Sequence, residues 1–275
     1  MYSPYVRRRT QLVLPLCILA ALFIACGDAP TPPQEGSGQG PGRRKQTLAL
    51  SPEQELDLGE SAYQQVLREN RGRILPAEDR QVRRVRAIAD RIVRAAGIEP
   101  LQREINLKVK GYKFDWEANV VEENQVNAFC LPGGKIVVYT GIFKVAQNDD
   151  QVATVMSHEI AHALAHHSSE RIARDQSGRV SLLQSKAFDR EQESEADHIG
   201  LFLMTFAGYN PDEAVRFWQR MARAKAGGGQ VPEFLSDHPS DRQRMVAMEA
   251  WAPRARAAKK AFDEGRIAPA PGQTR

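Results

Sequence analysis

The segment Ser157-His158-Glu159-Ile160-Ala161-His162 constrains this chain more than any other. On an α-helix, residues four apart lie one above the other on one face, so His158 and His162 can both reach a single ion. Glu159 sits about 100° round the axis, near enough to act on a water at that ion without being a ligand. Val152, Val155, Met156, Ile160, Ala163 and Leu164 give the helix a buried face, and Asn148 to Asp150 supply its cap. The pattern predicts a helix running to about Arg174.

A catalytic zinc takes three protein ligands and keeps one position open. The acid-dense segment downstream runs from Asp189 to His198, in a helix expected over about 190–207 and stopped by Gly208. Ala196, Gly200, Met204 and Ala207 form one small-to-apolar face, and Glu193 and Asp197 continue it. Gly200 permits close approach to the helix bearing His158. Helical geometry therefore selects Glu193 as the third ligand. Asp197, one turn on, is placed to accept a hydrogen bond from a ligand imidazole and fix its tautomer. Glu191 and Glu195 point elsewhere and read as solvated surface, and His166 and His167 read as helix surface. The ligand types favour one Zn2+ per chain. Two neutral ligands and one anion leave a positive centre that acidifies water toward neutrality. In a zinc peptidase a glutamate placed like Glu159 takes the proton of the attacking water and passes it to the leaving amine.

The remaining elements frame this pair of helices. Ser51-Pro52-Glu53-Gln54 carries an N-cap, a proline in the first turn and a capping-box glutamine, predicting a helix to about Asn70. A second helix, with Val82, Val85, Ile88, Ile92 and Val93 at helical spacing, ends at Gly97. Four short strands are expected: Ile105-Leu107-Val109, Phe114 to Val121, Gln125 to Cys130, and Ile136 to Tyr139, with Pro132-Gly133-Gly134 as a hairpin turn. Asn210-Pro211-Asp212-Glu213 opens a helix to about Ala226, and a last helix covers about 240–263. The fold class is α+β, mainly helical, with a small antiparallel sheet beside the central helix.

The N-terminus reads as an export signal. The chain carries 38 Lys+Arg against 34 Asp+Glu, a net +4 that hints at an anionic partner. Arg7, Arg8 and Arg9 precede an apolar stretch from Leu12 to Ala25, and no acid falls in these first residues. The stretch is too short to span a bilayer, which takes about 20 residues, and suits a signal-peptide core. Without it the chain is close to neutral, and a nucleic-acid partner loses its support. Leu22-Phe23-Ile24-Ala25-Cys26 resembles a bacterial lipobox, with Phe23 where leucine is usual, making Cys26 the expected lipidation site. Residues 26–46, rich in Gly and Pro, read as a flexible tether, 47–264 as one domain, and 265–275 as a frayed tail. Gly27 in the position after the cysteine leans toward the outer membrane. Cys17 leaves with the signal, so Cys130 remains alone and reads as a small buried hydrophobe. After residue 26 no run is apolar enough to span a bilayer.

His158-Glu159-Ile160-Ala161-His162, with Glu193-Ser194-Glu195-Ala196-Asp197 downstream, resembles the zinc metallopeptidases of the CAAX-prenyl-protease and HtpX-like family, M48. Within it, the resemblance is to the soluble bacterial branch with BepA- and LoiP-like periplasmic members. Asn127 to Gly134, Val138-Tyr139-Thr140-Gly141, and His238-Pro239 with Arg244 carry further motifs in the same order. The resemblance covers roughly 50–255. It implies a gluzincin-type zincin fold, with Glu193 as third ligand and Asp197 behind a ligand histidine. It implies that the strand at Asn127 and Ala128 binds substrate by β-augmentation, which holds extended peptides with little sequence demand. It places His238 over the active site, either stabilising an oxyanion or capping the zinc as a reversible fourth ligand, and leaves Arg244 near it or paired with a buried acid. The expected function is a lipid-anchored, periplasm-facing zinc endopeptidase that cleaves misfolded or stalled envelope proteins by metal-activated water. The alternative is an outer-membrane assembly factor or holdase with a latent or structural zinc, in contact with the assembly machinery.

Overall fold

The computed structural model describes residues 34–35, 45–107, 111–177, 182–226, 234, 238 and 242–266. In chain order these form β1 (Gln34–Glu35), β2 (Thr47–Leu48), α1 (Pro52–Glu69), α2 (Arg80–Ala96) and α3 (Glu99–Glu104). Then come β3 (Glu117–Val121), β4 (Ala128–Leu131), β5 (Lys135–Tyr139), α4 (Asp149–Leu164) and α5 (His167–Ser177). The chain continues with α6 (Leu182–Phe206), α7 (Asp212–Ala226) and α8 (Arg242–Asp263). The mainly helical fold is thus as expected. The signal segment, Cys26 and residues 267–275 lie outside the described residues. Among the described residues no helix is long and apolar enough to cross a membrane.

The helix carrying the histidines is the centre. Asn148 caps α4, its side chain accepting from the Gln151 N–H at 2.9 Å, and every residue from Gln151 to Leu164 is buried. Helices α2, α6 and α7 and strand β4 surround it. The closest approach is made by α6 at Gly200, where an added Cβ would stand 3.0 Å from the His158 nitrogen and from the Ser157 carbonyl. Glycine sets this helix spacing. At the other end, the capping box of α1 is complete: Ser51 Oγ accepts from the Gln54 N–H and Gln54 Oε1 from the Ser51 N–H. Gly59 packs α1 against the turn after β4, with the Pro132 carbonyl oxygen 1.7 Å from where a Cβ would sit.

Three expectations change. The three-stranded sheet is mixed rather than antiparallel, in the order β3-β5-β4. The Pro132–Gly134 turn reverses β4 into β5 as a hairpin, and β3 then lies parallel along the other side of β5. Strand β5 is consequently central and buried along Lys135–Val138, which leaves β4 as an edge beside α4. The alternation of Ile105 and Leu107 is not a strand. Pro100 opens the short α3, Asn106 turns through φ 51°, and both apolar side chains are buried from a turn. Val109 lies outside the described residues. Nor does the helix from Asn148 reach Arg174: it stops at Leu164, and His166 takes φ 57° before α5 starts. Just ahead of β2, Gln46 is buried and donates to the Ala165 carbonyl at 2.6 Å.

The two close-contact glycines differ in what they touch. Gly59→Ala should lose about 3 kcal/mol or more, because a backbone carbonyl cannot step aside, whereas Gly200→Ala should lose about 1–2 kcal/mol by shifting α6 a few tenths of an ångström. Urea denaturation midpoints check the order; equal losses would refute it.

Candidate metal centre

Four buried side chains converge beneath α6: His158, His162, Glu193 and His238, with ligand-type atoms all within 4.8 Å of one another. His158 and His162 come from successive turns of α4, with their Nε2 atoms 3.2 Å apart. Glu193, from α6, places Oε2 3.3 Å from His158 Nε2 and Oε1 3.4 Å from His162 Nε2. His238 Nδ1 lies 3.1 Å from His158 Nε2 and 3.0 Å from Glu193 Oε2. A tetrahedral zinc with bonds of about 2.0–2.1 Å has ligand atoms about 3.3 Å apart along every edge. The five separations given lie near that length, and three imidazoles with one carboxylate form a donor set zinc accepts. The residues fit the ion. Helical reasoning selected His158, His162 and Glu193, and the structure brings all three together.

Asp197 and Arg244 stand behind this group. Asp197 Oδ1 is 3.0 Å from His158 Nδ1. Arg244, from α8, grips the same carboxylate with both arms, Nε to Oδ2 at 2.5 Å and Nη2 to Oδ1 at 2.7 Å. Its third nitrogen, Nη1, is 3.2 Å from Glu193 Oε2, and its guanidinium lies 4.3 Å over the Trp218 ring. Burial raises the Asp197 pKa, but the charge and hydrogen bonds of Arg244, together with those of His158, outweigh it and hold the carboxyl below its ordinary value. His158 is buried, which lowers its pKa, yet the Asp197 and Glu193 carboxylates push it up to about 9. Arg244 is thus the partner of a buried acid, one of the two roles open to it from sequence.

Glu159 is buried, with Oε1 3.3 Å from His238 Nε2. His238 therefore stands between the two α4 histidines and the carboxylate that would act on water. Its backbone N–H donates to the Phe234 carbonyl at 2.9 Å, and the Phe234 N–H donates to the Val126 carbonyl at 3.1 Å. That bond ties His238 to the approach of β4. In the β4–β5 register, Phe129 and Leu131 face Val137 and Lys135, and the Asn127 carbonyl accepts from the Tyr139 N–H at 3.1 Å. The backbone groups of Ala128 and Cys130 consequently point away from β5. Asn127 Oδ1 folds back to accept the Ala128 N–H at 2.8 Å. Cys130 is half-buried rather than buried, and its thiol is pushed up by desolvation and then by the Glu159 charge.

Three residues taken for surface are not. His166 and His167 are 5% and 1% exposed, and Glu195 is 8% exposed. The break at His166 turns the following histidines inward: His166 Nδ1 meets Glu55 Oε2 at 2.8 Å, and His167 lies between His162 and Glu195. Uninterrupted helical periodicity cannot show this. The available signal is that four of the chain's 6 histidines fall within ten residues, which a solvated face seldom needs.

Removing Arg244 tests the electrostatics. Arg244→Met leaves Asp197 buried without its guanidinium and should cost about 3–5 kcal/mol at pH 7 by chemical denaturation. The stabilisation from a depressed carboxyl is present above its unfolded value and is lost as pH falls through the folded one. The gap between wild type and variant should therefore narrow below a pH of about 4. A gap that widens on acidification would contradict this.

The chain matches the family model described as "Peptidase family M48" over residues 81–184 and 178–252. It is 33% identical over 237 residues to the mitochondrial metalloendopeptidase OMA1 of Saccharomyces cerevisiae, covering 77% of this chain and 68% of that protein. With the protein of the same name from Schizosaccharomyces pombe it shares 33% over 229 residues, 76% of this chain and 64% of that one. The beta-barrel assembly-enhancing protease of Escherichia coli is 24% identical over 157 residues, 46% of this chain and 32% of that protein. The chain thus spans about two thirds of the yeast relatives and a third of the bacterial one. The matched residues include both histidines of α4, Glu159, Glu193, Asp197, His238 and Arg244, and the chain belongs to peptidase family M48, a family of zinc metallopeptidases.

Proposed function

We propose that this protein is a zinc metalloendopeptidase of the bacterial cell envelope, lipid-anchored through Cys26 and acting on misfolded or stalled periplasmic and outer-membrane proteins. The single observation that carries the hydrolytic reading is the convergence of the ligand-type atoms of His158, His162, Glu193 and His238, with Glu159 Oε1 3.3 Å from His238 Nε2. When bound, zinc supplies Lewis acidity, lowering the pKa of water toward 7 and polarising a carbonyl. His158, His162 and Glu193 hold it. Glu159 takes a proton from the attacking water and returns it to the leaving amine. Asp197 and Arg244 keep His158 oriented. Substrate lies along β4, its backbone pairing with the Ala128 carbonyl and the Cys130 backbone groups beside Asn127, so little side-chain sequence is read.

The envelope setting rests on the signal-like N-terminus and on similarity to a relative named for beta-barrel assembly. The more similar yeast relatives are named as mitochondrial, so the envelope setting rests on the N-terminus more than on them. The outer membrane and its assembly machinery are the proposed location and partner, because Gly27 rather than an acid follows Cys26. Fractionation with Cys26→Ser should release the protein from membranes; retention would refute the anchor.

One observation favours a second reading, a latent site in an assembly factor or holdase. Catalytic zinc sites keep a position open, whereas here His238 completes a closed set of four. The two readings are reconciled if His238 is a reversible cap. Glu159→Gln should then abolish cleavage of casein or unfolded outer-membrane protein by about 10²–10⁴-fold with zinc still bound. His238→Ala should raise the basal rate. Loss of all activity in His238→Ala would instead assign it to the oxyanion, and full activity in Glu159→Gln would overturn the mechanism.

A further inference from the structure

The two α4 histidines are not supported alike. His158 meets a carboxylate directly through Nδ1, at 3.0 Å from Asp197. His162 has no acid in that place. Its Nδ1 lies 2.7 Å from His167 Nδ1, and His167 Nε2 lies 3.1 Å from Glu195 Oε2. All three side chains are buried. The hydrogen positions follow from the chemistry. An imidazole that offers Nε2 as a lone pair to a metal carries its proton on Nδ1, so His162 is the donor of the 2.7 Å contact. His167 Nδ1 is then the acceptor, its proton sits on Nε2, and that proton is donated to the Glu195 carboxylate.

We infer that His167 is a positioning residue for the metal centre, fixing the tautomer and orientation of His162 and passing to it the influence of Glu195. This rests on the zinc reading given above. Chain geometry supports a dedicated arrangement. Five residues along a continuous helix are about 140° round the axis, so His167 on an unbroken α4 would point away from His162. The chain instead leaves the helix at Ala165, turns through φ 57° at His166 and restarts, which brings the two Nδ1 atoms together. A left-handed histidine is an unfavourable conformation, held here by its bond to Glu55 at 2.8 Å and its stack on Tyr112 at 3.6 Å between centroids. The start of α5 is also fastened to α6. Gln192 Nε2 donates to the His167 carbonyl at 3.2 Å and to Glu170 Oε2 at 2.9 Å, and Arg171 holds Gln192 Oε1 at 2.7 Å. Helix α6 thus supplies Glu193 to the centre and, within three residues on either side, Gln192 and Glu195 to the group behind His162.

The test is zinc affinity of the purified full chain, by competition with a chromophoric chelator. His167→Phe keeps a ring and removes the acceptor, and it should weaken zinc by about 10–100-fold. His167→Asn can still accept through Oδ1 and should recover most of that loss. A purely structural role would not distinguish the two. Equal affinity of His167→Phe and wild type would overturn the inference, and so would equal weakening of the Phe and Asn variants. Should His167→Phe fail to fold, Glu195→Leu replaces it, with a smaller expected loss of about 3–10-fold; unchanged affinity there would also overturn it. A wild type that binds no stoichiometric zinc would instead refute the metallopeptidase reading itself.

Discussion

The structure turns on a helix that is buried on every side and still carries polar chemistry. Fourteen residues of α4 in succession, from Gln151 to Leu164, are buried, and His158, Glu159 and His162 are among them. A helix satisfies its own backbone, but its buried imidazoles and carboxylate must find partners on other segments. Each partner fixes an element. Glu193 and Asp197 set the rotation of α6, and Gly200 sets its distance. Arg244 brings α8 over the same corner. His238 brings its own segment across from the side of β4. The architecture around α4 is in this sense a solution to one desolvation problem.

Charge is distributed so that the buried acids Asp197 and Glu193 share one cation. Arg244 spans Asp197 and Glu193 while lying flat on Trp218. That task needs a planar fork; a lysine ammonium would serve one carboxylate and lose the stacking. The result is an acid pair whose orientation is decided from α8, a helix distant in the chain from α4. Lys135 shows the same principle at the far end of the sheet. It is buried at 2% exposure, with its ammonium held 2.7 Å from Asp115 and 3.2 Å from Glu60. There the acids lie at the surface, and the cation is the buried partner.

Local signals carried most of the helices and the heart of the site. The capping box at Ser51, the caps at Asn148 and Asp212's helix, and the i, i+4 histidines depend on residues close in sequence, so their geometry follows from helix periodicity alone. Glu193 was legible because its face of α6 is marked by Ala196, Gly200 and Met204. The sheet was less legible. The hairpin turn identifies β4 and β5 as neighbours, but nothing local says on which side of β5 the earlier strand returns. That choice is made by packing, since α2 lies against β3 and α4 against β4.

The break after Leu164 was illegible for a more specific reason. Ala163-Leu164-Ala165 is good helix sequence, and by propensity α4 should simply continue. Continuation would satisfy the backbone but carry His167 about 140° round the axis from His162 and forfeit the 2.7 Å contact between their Nδ1 atoms. Stopping at His166 spends one helical turn and gains a hydrogen bond for His162, another for His166 with Glu55, and a Gln46 bond to the freed Ala165 carbonyl at 2.6 Å. Each of these partners is far away in sequence or depends on the break itself. Propensity is therefore overruled by groups that a local pattern cannot contain, and it is overruled where the helix must support a ligand from behind.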